Sequence, residues 1–92
     1  MPQVFKVGSY IIYFGLNESM PLEPIHVHIS EGFPTENATK VCLTSCGDAL
    51  LCNNNSHIPQ RQLRIIMDVI SGRHKEIENL WKQKFNEIEY YC

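Results

Sequence analysis

His26-Val27-His28 is the segment whose residue types and spacing best suit chemistry. On a strand, residues two apart point to the same face with Cα atoms about 6.6 Å apart, so both imidazoles can converge on one ion. Neutral imidazole is a favoured ligand for zinc, copper, nickel and iron. A working metal centre needs further ligands, and His57, His74, Glu31, Asp48 and the cysteines could supply them. The same pair could instead work as acid and base, because histidine titrates near neutrality. Arg61 or Arg64 would then hold a phosphate, which suits hydrolysis of RNA or another phosphodiester. The plainer reading is two histidines facing solvent or satisfied by hydrogen bonds, since His-x-His is a weak motif by itself.

Other chemistry is thinner. Four cysteines, Cys42, Cys46, Cys52 and Cys92, would suit two disulfides in a secreted chain. The N-terminus lacks the basic flank and long apolar stretch of a signal peptide, so reduced thiols in the cytoplasm are the expectation. The cysteine spacings match no common zinc ribbon or knuckle. The sequons at Asn17, Asn37 and Asn54 then mark only polar loops. No glycine-rich phosphate loop, Gly-x-Ser-x-Gly elbow or His-Glu-x-x-His helix occurs. Eight basic residues against ten acidic ones argue against a protein that coats nucleic acid. No apolar run reaches the about 18 residues that a membrane span needs.

The elements that must position these groups divide the chain into a β part and an α part. With 92 residues, a single domain over 1–92 is expected. Ser9 to Phe14 is dense in β-branched and aromatic residues without alternation, which predicts a strand covered on both faces. Ile25 to Ser30 alternates strictly, so Ile25, Val27 and Ile29 share one face and His26, His28 and Ser30 the other. That places the two histidines within reach of solvent or of a cleft. Thr39 to Thr44 and Ala49 to Cys52 read as a hairpin turned by Ser45 to Asp48. The asparagines at 53–55 read as a turn or helix cap. From Pro59 the period changes: Leu63, Ile66, Met67 and Ile70 mark a helix that Gly72 ends. A second helix carries Ile77, Leu80, Trp81, Phe85 and Ile88 as its apolar stripe. His74 lies at the border of that stripe, half-buried against Trp81, and His57 is exposed before the first helix. Glu87 to Cys92 alternates briefly and reads as an edge strand. The fold class is therefore α+β: a mostly antiparallel four-stranded sheet in the first two-thirds, covered on one face by two C-terminal helices. Apolar ends such as Val4, Phe5, Tyr90 and Tyr91 either pair with a copy or partner strand to strand or fold back on their own sheet.

Three features together carry a resemblance. The first is a Met-Pro opening with the strand Tyr10-Ile11-Ile12-Tyr13-Phe14. The second is Pro24-Ile25-His26-Val27-His28 followed by a hairpin. The third is Ile58-Pro59 with Leu63 and Ile66, then His74 and Trp81 on a second helix. The chain resembles the small bacterial proteins grouped as domain of unknown function four-one-six-zero, whose signature is Pro-Pro-His-Phe-His. Ile25 stands where the family has its second proline, and Val27 where it has phenylalanine. The resemblance implies a cytoplasmic bacterial or phage protein, often encoded beside a second short protein in a toxin–antitoxin-like pair, with His26 and His28 as the central pair. Function is accordingly expected to be that of a protein-interaction module, binding a small protein partner or a second copy, with no membrane. The alternative is a His-based or metal-dependent hydrolase acting on RNA or phosphodiesters through His26 and His28. Zinc or another divalent transition metal is the candidate cofactor, with His26 and His28 as ligands. Neither the motifs nor the resemblance decides whether the chain is an enzyme.

Overall fold

Gly8 and Ser9 turn the chain back on itself within a few residues of its start. Gly8 has φ +59°, a backbone conformation glycine adopts without the Cβ penalty, and the turn pairs Val7 with Tyr10. A computed structural model describes residues 3–14, 24–85, 88 and 90. In it, strands β1 (Gln3–Val7), β2 (Tyr10–Tyr13), β3 (His26–Glu31), β4 (Thr39–Leu43) and β5 (Ala49–Asn53) precede helices α1 (Gln60–Gly72) and α2 (His74–Phe85). The sheet has five strands in the order β1-β2-β3-β4-β5, each antiparallel to its neighbour. The α+β expectation stands, with the strand count corrected from four to five. The additional strand is β1, whose apolar residues Val4, Phe5 and Val7 do not alternate. The return strand expected over 87–92 lies mostly outside the described residues.

The helices cover one sheet face. Ile12, Phe14, Val27, Ile29, Val41 and Leu43 are buried there with Leu63, Ile66, Ile70, Ile77 and Trp81. Leu80 departs from the expected stripe and is 38% exposed. It lies about 100° around the helix axis from Trp81, while Ile77 and Phe85 lie one turn to either side of Trp81 and face the core. On the opposite sheet face, Ile11 and Tyr13 are buried with Ala38, so β2 is covered on both sides as its lack of alternation predicts.

Two connections hold the layers together. The β4–β5 turn closes on itself, the Thr44 amide donating to the Asp48 carbonyl at 3.0 Å and the Gly47 amide to the Thr44 carbonyl at 3.1 Å. It then docks on the α1–α2 junction, where the Ser71 hydroxyl donates to the Gly47 carbonyl at 2.9 Å. His74 is half-buried as expected, but its neighbour is this turn: a Cβ on Gly47 would lie 2.8 Å from His74 Nε2. The 53–58 segment is knitted by side chains. Asn54 accepts from Thr39 Oγ1 at 2.8 Å and from the Ile58 amide at 3.0 Å, and Ser56 Oγ donates to the Asn37 carbonyl at 2.7 Å. The asparagine run is thus a turn that fixes the start of α1.

The thiols differ from expectation. Cys42 and Cys52 form a disulfide, with Cα atoms 6.4 Å apart, while Cys46 is free and exposed. The reason lies in the register. Val41 pairs with Leu51 but Lys40 with Asn53, which leaves Cys52 as the extra residue of a bulge beside Cys42.

Candidate functional site

The alternation of β3 is obeyed: Val27 and Ile29 join the core under the helices, and His26 and His28 stand on the other face. Cross-strand register gives each histidine its neighbours. His28 lies opposite Tyr13 on β2 and Lys40 on β4, and His26 lies opposite Cys42. The Tyr13 and His28 rings are 5.6 Å apart, and the Tyr13 hydroxyl shares a buried 3.0 Å hydrogen bond with Ser30 Oγ.

The two histidines are not equally accessible, which corrects the expectation of a solvent-reachable pair. His28 is half-buried, whereas His26 is 1% exposed. His26 is the first residue of β3, at the end of the sheet, and there Trp81 of α2 comes within 5.5 Å of its ring. The His26 ring also meets that of His28 edge to face, with centroids 5.1 Å apart. His26 Nδ1 is 2.8 Å from the Pro24 carbonyl, which can only accept, so Nδ1 carries the hydrogen. In the neutral ring, Nε2 is then the basic nitrogen. Metal-ligating and general-base histidines are commonly oriented by such a bond on the opposite nitrogen.

Trp81 completes this end of the molecule. It is fully buried, packed edge-on to Phe14 at 5.3 Å and against Phe85 at 4.3 Å. Its indole Nε1 is buried without a hydrogen-bond partner among the described residues.

The other candidate groups are dispersed. Among the described residues, no three of His, Cys, Asp and Glu gather in a way that could hold a metal ion. His57 is exposed with φ +55°, and Glu31 accepts a hydrogen bond from Ser9 Oγ at 3.1 Å at the far end of β3. Arg61 is exposed on α1. Arg64 lines a separate cleft of about 590 Å³ between β5 and α1, in company with Asp48, Leu50, Leu51, Met67 and Asp68. The phosphate-holding role considered for Arg64 therefore has no His pair beside it. The cleft escapes sequence reading because Leu50 and Leu51 look like ordinary strand residues. They are 38% and 43% exposed because β5 is the last strand of the sheet.

No helix among the described residues is long and apolar enough to cross a membrane. Comparison with curated proteins and with solved structures finds no match. A family model does match, over residues 9–82, and it spans β2 to α2 with the His pair inside it. The chain belongs to the family described as Domain of unknown function (DUF4160).

Proposed function

We propose that this chain is a protein-interaction module that docks a small protein partner, its companion in a toxin–antitoxin-like pair, along the β5 edge and the β5–α1 cleft. The observation that carries the reading is the exposure of Leu50 and Leu51, adjacent apolar residues on an edge strand that borders a cleft. An edge strand presents a row of backbone donors and acceptors, and apolar side chains beside it add affinity for an incoming segment. Arg64, Asp48 and Asp68 at the rim would orient that segment. The test is co-expression with the proposed partner, a short protein from an adjacent gene, followed by light scattering of the purified pair. Leu51→Glu should abolish the complex while changing stability by no more than about 0.5 kcal/mol, as for most surface changes. A complex that forms equally well with Leu51→Glu overturns this docking surface.

A second reading, a His-based or metal-dependent hydrolase acting on RNA or phosphodiesters, rests on the Nδ1 tether of His26 to Pro24 beside the His28 ring. A ligating imidazole must be unprotonated, so zinc binding through His26 and His28 should weaken on acidification. It should also be lost on His26→Ala or His28→Ala. Zinc affinity indifferent to both substitutions and to acid removes this reading.

A further inference from the structure

We propose that the Cys42–Cys52 disulfide is a thiol-exchange site, opened at Cys52 by a low-molecular-weight thiol, and that its state sets how firmly β5 is held at the sheet edge. The inference touches the docking reading in one respect, since β5 borders the proposed cleft, but the exchange itself needs no partner.

Three observations carry it. The two sulfurs differ in access: Cys52 is exposed and Cys42 is 2% exposed, so a thiolate from solvent reaches the bond at Cys52. Cys52 is also the extra residue of the β4–β5 bulge, where the ladder is interrupted and β5 lacks one regular pairing with β4. Finally, among the described residues β5 has a strand on one side only, and its leucines are half out of the core. The disulfide joins this edge strand to β4, whose Val41 and Leu43 are fully buried.

The chemistry balances with two equivalents of thiol. A thiolate attacks Cys52 Sγ, the Cys42–Cys52 bond breaks, and Cys42 leaves as a thiolate that takes up a proton. A second thiolate attacks the thiol-derived sulfur of the mixed disulfide and releases Cys52, which is protonated in turn. The protein disulfide is reduced to two thiols, and two small thiols are oxidised to one small disulfide. Because the remaining strands keep their pairings and their helix cover, the loosening is confined to β5 and its turn.

Glutathione is the probe. Full-length protein is treated with it, alkylated and weighed, and amide hydrogen exchange is followed strand by strand. Two thiols beyond those of the untreated protein should become alkylated. Exchange at Leu50, Leu51 and Cys52 should then accelerate by about tenfold or more, with β2 and β3 changed by less than about twofold. Cys42→Ser combined with Cys52→Ser should reproduce the reduced pattern without any thiol. A bond that glutathione does not open overturns the exchange site. An unchanged β5, or uniform acceleration of all strands, overturns the local role. Failure to bind a partner would count against the docking surface and leave both exchange results standing.

Discussion

Trp81 is the side chain on which the His26 end of the molecule closes, and two substitutions separate its packing from its polarity. Trp81→Ala should cost about 3–5 kcal/mol, the usual consequence of emptying a large aromatic site. Trp81→Phe should cost markedly less, because the indole Nε1 it removes has no partner among the described residues to leave behind. Chemical denaturation of both variants checks the order, and equal losses would mean that Nε1 makes a bond after all. Tyr90 offers a pH test. Burial, then its hydrogen bond to Glu78 Oε2 at 3.1 Å and the charge of that carboxylate, raise its pKa above the ordinary 10.0. A raised folded pKa means stability that is complete below about pH 10 and lost as pH climbs through the folded value. Tyr90→Phe should flatten that alkaline limb in melting experiments. Strand alternation made the shared face of His26 and His28 legible. The burial of His26 was not, because it depends on an α2 residue far along the chain.

The β4–β5 hairpin is the element where local rules and tertiary contact meet. Gly47 has φ +85° and lies against the His74 ring, so Gly47→Ala meets both a strained backbone and a clash. A loss of about 1–3 kcal/mol is expected, and denaturant midpoints against the parent would measure it. The hairpin itself was readable from Gly47 and the flanking alternation, as were both helices from their period and from Pro59 and Gly72. The bulge at Cys52 was not readable. It is a matter of register, and composition carries no register. β1 also escaped, because its apolar residues Val4, Phe5 and Val7 do not alternate and the strand becomes convincing only once its partner β2 is known.

At the scale of the whole molecule, one face of the sheet is closed by α1 and α2, while among the described residues the last strand stays open at the edge. The His pair and the β5–α1 cleft therefore belong to different places: His28 lies on the sheet face away from the helices and His26 at the end of the sheet against Trp81, while the cleft lies beside α1. Residue types alone could group His26 and His28 with Arg61 or Arg64 into one site, and did so in the hydrolase reading. Only the topology separates them. Whole-molecule behaviour should follow that separation: Leu51→Glu should alter association without altering zinc affinity, and His28→Ala should do the reverse. Light scattering and zinc titration of both variants check it.

The strand order β1-β2-β3-β4-β5 is also an order of synthesis. Each strand can zip onto the one made just before it, so most pairing is local and should be fast. The cover comes last. Until α1 and α2 leave the ribosome, the nascent sheet carries Ile12, Val27, Ile29, Val41 and Leu43 bare on one side. A chain ended at Pro59 should therefore be sticky: it should bind a hydrophobic dye and scatter light at micromolar concentration, where the full chain stays clear. The final third of the polypeptide acts, in this sense, as its own chaperone, and premature stops after β5 should be far more harmful than the loss of a few C-terminal residues.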